Sequence, residues 1–320
     1  MVANRASACL QARRWWVAIP SLMVPMGLVA GFCWWLTPSL ESLKSDVAQE
    51  HRASRSNDLV QVGVANADET SEQLDLLPDW PEHRLEGQEA KQYLLDFMEY
   101  AVQKLDQVDG YSANLVRQER IKGELGLEQS LQIKVQHEPF AVYLRFEAPR
   151  PGKEALYHSG RFDDHLLAHN GDWTRRLFPR LKVDPHGPIA LAENRHPITE
   201  AGLAHLARKL LHFRKLDLDD PRAETILDRE IDENGKLWYC STHSHSSFTE
   251  DRPFAYVEIR YCPELLIPLH IVSYDWPQPG CDDGELQLAE RYHYENVNFD
   301  ITFSELDFDP TNPDYGFQRY

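Results

Sequence analysis

The residue types best able to do chemistry crowd into one stretch in the middle of the chain. From Leu181 to Leu203, reading LKVDPHGPIALAENRHPITEAGL, stand Asp184, His186, His196 and Glu200, all types that ligate metals. Asn194 and Arg195 beside them carry donors that could hold an anion at a helix N-terminus. Asp184-Pro185 and Gly187-Pro188 read as consecutive turns, because proline fixes φ and glycine tolerates positive φ. Pro197 pushes His196 out of the helical region. Thr199 reads as the N-cap of a helix running to about Leu216, with Glu200 on its first turn and Ile198 placed to staple against Leu203. The stretch is too rich in Pro, Gly and Asn for a strand. It predicts an ordered loop that brings Asp184, His186, Asn194, Arg195 and His196 to one helix N-terminus, as a lid or plug. The spacing matches no metal-ligand motif. The plainer account is that Asp184 and Asn194 hold turns, Glu200 answers the helix dipole and Arg195 pairs with a carboxylate.

Other constellations say less. His243 and His245 fall on one face of an expected strand, as do His165 and His169, but neither pair has a third ligand in view. There is no GxSxG elbow, no Cys–His pair in a recognisable setting, no phosphate loop and no dinucleotide fingerprint. No cofactor, metal or catalytic residue is therefore assigned, and a metal-dependent enzyme using residues 184–200 is the weakest of the readings. Cys240 lies roughly opposite Cys262 in the simplest hairpin register, so a cross-strand disulfide is one expectation and two buried free thiols the other.

The elements that must position these residues follow from hydrophobic period. Tyr93, Leu94, Phe97, Met98, Ala101, Leu105 and Val108 recur at helical spacing and predict a helix over Gln88–Val108. The period then changes to two. Strands are expected over Tyr111–Ile121, Glu128–His137, Phe140–Glu147, Glu154–Ser159, His165–Asn170 and Trp173–Phe178. After the loop and helix they resume over Thr225–Asp232, Lys236–His245, Phe254–Cys262, Leu265–Trp276 and Leu286–Val297. In the clearest strands Leu131, Ile133, Val135, Phe140, Val142, Leu144 and Phe146 share one apolar face, which must be covered. This is an α+β chain, mainly antiparallel β, with an N-terminal helix and a mid-chain helical insertion.

Charge and the N-terminus bound the setting. A formal net charge of −18 argues against a nucleic-acid partner. Arg5, Arg13 and Arg14 precede an uncharged run from Trp15 to Leu36, long enough to span a bilayer and flanked by tryptophan pairs. The expected organisation is a basic cytoplasmic segment over 1–14, a transmembrane anchor over 15–36, a flexible acidic linker over 37–87 reaching about 40 Å, and a β-rich domain over 88–320. That places the bulk of the chain in the periplasm, tethered to the inner membrane. A cleaved signal, which would release the domain, is the rival.

Several blocks resemble a known family. Tyr111-Ser112-Ala113 through Gln118-Glu119-Arg120, Glu138-Pro139-Phe140-Ala141-Val142-Tyr143-Leu144, Leu181 to Pro188, Asn194 to Glu200, and Asp307-Phe308-Asp309 with Asn312-Pro313 are similar to the bacterial domain-of-unknown-function family 1571. The likeness runs from about Gln88 to Phe317. It implies a distant relation to the LolA and RseB group, half-open antiparallel barrels whose helices close the mouth over an apolar cavity. The resemblance thus implies a binding protein for a lipid or an acylated protein, its cavity lined by the seven apolar residues named above. The alternative is an envelope sensor that binds a peptide or a partner protein in the same concavity. Neither is an enzyme.

Overall fold

A computed structural model describes residues 79–171, 180–277 and 286–317. The expected anchor over 15–36, the linker up to residue 78, the strand expected over Trp173–Phe178 and Cys281 lie outside the described residues. No helix among the described residues is long and apolar enough to cross a membrane.

Helix α1 (Gly87–Asp106) forms where the three- and four-residue spacing predicts it, and buries Leu94, Phe97, Met98, Ala101 and Leu105. The folded part begins earlier than Gln88. Trp80 is only 2% exposed, donates its indole N–H to the Asp228 carbonyl at 3.0 Å and stacks on Tyr239 with centroids 4.9 Å apart. The last residues of the expected linker are therefore docked: a tryptophan wedged against aromatic partners outweighs the polar residues around it.

The strands are β1 (Leu85–Glu86), β2 (Gly110–Ile121), β3 (Glu124–Leu125), β4 (Gln129–Gln136), β5 (Ala141–Ala148), β6 (Glu154–His158), β7 (Leu166–His169) and β8 (Leu181–Val183). After helix α2 (Leu203–Asp217) come β9 (Ala223–Ile231), β10 (Leu237–His245), β11 (Tyr256–Cys262), β12 (Ile267–Asp275) and β13 (Gln287–Asn298). All pair antiparallel in one open sheet ordered β1-β9-β10-β11-β12-β13-β2-β4-β5-β6-β7-β8, with β3 beside β2. Hairpin connections account for most neighbours. The long β2 and β13 meet in the middle of the sheet.

The alternation in β4 behaves as read, with Leu131, Ile133 and Val135 buried and Gln132 exposed. Strand β5 is buried on both faces along Ala141–Leu144. The reason is the proline-punctuated end of the chain, which crosses the outer face and packs Phe308, Tyr315 and Phe317 on Tyr143, Leu156 and Leu167. Tyr143 and Tyr315 stack at 3.9 Å, and Lys134 reaches Asp307 at 2.7 Å.

Three expectations are corrected. Residues Leu181–Val183 do form a strand, because β7 offers them a pairing edge. Thr199 is not the N-cap. Ile198–Glu200 make a single 3-10 turn, and α2 starts after Gly202, whose φ of 105° suits glycine. A Cβ there would lie 3.1 Å from the Tyr111 hydroxyl, and that hydroxyl instead accepts the Leu203 N–H at 2.8 Å. The disulfide expectation is corrected too: β10 and β11 pair Cys240 with Arg260, not with Cys262, and both cysteines are buried free thiols.

Candidate functional site

The insertion between β8 and β9 covers the apolar face of the sheet. It runs from the turns at Asp184 through α2, and it joins strands near opposite ends of the sheet order. Beneath it lies a cavity of about 980 Å³. Its walls include Leu181 and Val183 of β8, Leu166 of β7, Leu144 and Phe146 of β5, Leu131 and Ile133 of β4, Ile271 of β12 and His245 of β10. Laid flat, the ten strands from β10 to β8 would span roughly 43 Å at about 4.8 Å per step. One cavity can touch both ends only because the sheet wraps around it. Its size is near the top of the range of about 300–1,000 Å³ typical of ligand pockets. Close-packed cores hold few voids larger than one water molecule.

Two buried polar clusters interrupt the apolar wall, besides Arg208, Lys209 and the Lys153–Glu193 ion pair that also line it. In the first, Glu119 and Glu290 are almost buried. Glu119 accepts from the Tyr292 hydroxyl at 2.5 Å and from the Arg195 backbone N–H at 3.0 Å. Glu290 lies 2.7 Å from His196 Nε2 and 3.3 Å from Arg195 Nε. Arg117 donates to Asn194 Oδ1 at 2.7 Å and to Gln129 at 2.8 Å, tying the insertion to β2. Burial, reinforced by the Glu290 and Glu119 charges, pushes the Tyr292 hydroxyl well above its ordinary range and keeps it a donor. Each carboxylate here has its cation and its hydrogen bonds, as buried charge requires.

The second cluster gathers on Asp217, at the end of α2. Arg214 Nη2, Arg252 Nε and His245 Nε2 approach its carboxylate at 2.9, 2.9 and 3.0 Å. Burial acts to raise the Asp217 carboxyl, but the His245 hydrogen bond and the Arg214 and Arg252 charges outweigh it and hold it below its ordinary value. Next to this cluster His243 hydrogen-bonds with Ser241 at 2.9 Å, and burial together with the Arg214 charge keeps its imidazole well below its ordinary pKa. His243 and His245 thus sit in two buried networks. Among the described residues no group of three or more His, Cys, Asp or Glu side chains is arranged to hold a metal ion.

A family model described as a protein of unknown function, DUF1571, matches residues 108–317. The chain belongs to the DUF1571 family. No curated protein matches it. Among solved structures, the lipoprotein LppX of Mycobacterium tuberculosis is 12% identical, with a TM-score of 0.38 over 67% of this chain and 99% of that one. The Pseudomonas aeruginosa MucA/MucB complex gives 12%, 0.35, 67% and 60%. A LolA superfamily protein of Nitrosomonas europaea gives 11%, 0.27, 67% and 96%. At these TM-scores the likenesses carry no argument, and the site of this DUF1571 chain rests on its own geometry.

Of the seven apolar residues expected at a cavity, Leu131, Ile133, Leu144 and Phe146 line it. Val135 and Val142 are sealed in the core, and Phe140 is half-buried against His205 and Tyr157. In the loop, Asn194, His196 and Glu200 line the cavity. Asp184 accepts the His186 N–H at 2.9 Å and holds a turn, and His186 is an exposed partner of Thr199. Arg195 pairs with Asp275 and Glu290. The loop residues therefore do not converge on the α2 N-terminus: Asn194, Arg195 and His196 reach the sheet. Sequence reasoning passed over Arg117, Glu119, Glu290, Arg214, Asp217 and Arg252. Arg117 and Glu119 continue the in-facing alternation Tyr111, Ala113, Leu115, and a charge in phase with an apolar strand face was a readable signal.

Proposed function

We propose that this DUF1571 chain is a binding protein that holds an acyl chain or a similar apolar ligand between its open sheet and the 184–217 insertion. The observation that carries the reading is the cavity itself, about 980 Å³, with apolar side chains of the strands and of the insertion lining it between the polar ones. The arginines ahead of the Trp15–Leu36 run support a tethered, periplasm-facing placement. The test is native mass spectrometry with lipid extraction on the full chain purified from membranes. A bound mass that extracts as lipid is the expected result. A ligand-free protein that also fails to take up added fatty acid or alcohol would overturn it, and a bound peptide would move the reading to an envelope sensor.

A further inference from the structure

The two polar clusters of the cavity wall differ in one respect that bears on the ligand. Around Glu119 and Glu290, cations and carboxylates answer one another. Around Asp217, two guanidinium groups share one buried carboxylate. Arg252 has further carboxylates in Asp251 at 3.2 Å and Asp220 at 3.7 Å. Arg214 pairs with Asp217 through Nη2, and among the described residues its Nε and Nη1 have no hydrogen-bond partner. The side chain is 5% exposed and lines the cavity. A guanidinium keeps its charge in a protein, so it cannot relieve burial by losing a proton. Buried donors left unmet are rare in native proteins, and each calls for a partner. Water could meet these N–H groups, and an anionic ligand group would meet them through charge-assisted hydrogen bonds. Leu210, Phe213, Phe254, Val257 and Ile271 line the same cavity, so a molecule that reaches Arg214 also meets apolar surface.

We propose that Arg214 is the head-group end of the cavity and that the ligand is an anionic amphiphile, its carboxylate or phosphate against Arg214 and its apolar tail along the strand face. This rests on the cavity reading above and adds the charge of the ligand to it. A charge-assisted pair to guanidinium is short and directional, so it selects an anionic head over a neutral one of the same chain length.

The experiment compares dodecanoic acid with dodecanol by titration calorimetry at pH 7.5. The delipidated full chain is held in nanodiscs, and empty nanodiscs measured alongside subtract partitioning. In the unaltered protein the acid is expected to bind at least about tenfold more tightly than the alcohol. Arg214→Met should remove that advantage and leave alcohol binding in place, while Arg214→Lys keeps part of it. Equal affinities in the unaltered protein, or an undiminished advantage in Arg214→Met, would overturn the proposal and leave the cavity reading standing. If neither compound binds, the cavity reading fails and this one with it. Should Arg214→Met not fold, the unaltered protein and Arg214→Lys still decide. Dodecyl phosphate in the same titration separates the two heads: tighter binding than dodecanoic acid assigns the site to phosphate.

Discussion

Tyr111 shows how one side chain sets where the insertion becomes helical. Its ring lies in the core and its hydroxyl accepts the first free N–H of α2, a role that capping side chains usually fill from within the same segment. Tyr111→Phe keeps the packing and strands the Leu203 N–H. The expected loss is about 1–3 kcal/mol, measured by urea unfolding, and an unchanged midpoint would refute the capping role. The N-terminus of α2 was misread from sequence for this reason: Thr199 has the right type and position, but the acceptor that wins comes from a strand about ninety residues earlier. Arg214 was passed over for a related reason. As a basic residue in the last helical turn it satisfies the dipole rule and raises no question, and only the fold brings Arg252 and His245 to the same carboxylate.

Among the elements, helices and strands whose apolar residues share one face were legible. Helix α1 and strands β4 and β5 lie within a residue or two of their predicted bounds, since a period of 3.6 or 2 is a property of local sequence. What the period does not tell is which part of an apolar face is covered by side chains and which by a ligand. Leu144 and Val142 alternate identically along β5, yet one lines the cavity and the other is sealed. That difference is testable. Leu144→Trp should occupy part of the cavity and weaken dodecanol binding by about tenfold or more with little change in melting temperature, read by calorimetry and circular dichroism. Leu94→Ala in the sealed helix–sheet layer should cost about 2–5 kcal/mol and leave ligand affinity in the folded protein unchanged. If Leu144→Trp unfolds the protein as Leu94→Ala weakens it, the face is an ordinary core.

For the whole molecule, burial of histidines makes stability depend on pH. Burial, with His293 adding repulsion, lowers the His270 imidazole to about 4, and burial with the Arg214 charge holds His243 well below its ordinary value. Both are neutral when folded, so between about pH 6.5 and 4 the unfolded chain binds more protons and stability falls as pH falls. Below about pH 4.5 the carboxylates add to the loss, since Glu193, paired with Lys153 and Arg150, is held at about 2 against its burial. Urea titrations at pH 7.0, 5.5 and 4.5 should show the midpoint dropping at each step. His270→Gln should flatten the first, and equal slopes in both proteins would refute the assignment. The architecture has a mechanical side as well. The segment from Asp184 to Arg222 joins strands near opposite ends of an open sheet, and Arg117 and Arg195 fasten its middle, so sheet and insertion stand to each other as a bow to its string. On the proposed function, a bulkier ligand would bend the bow wider and tighten the string, so that ligand size would be felt as tension.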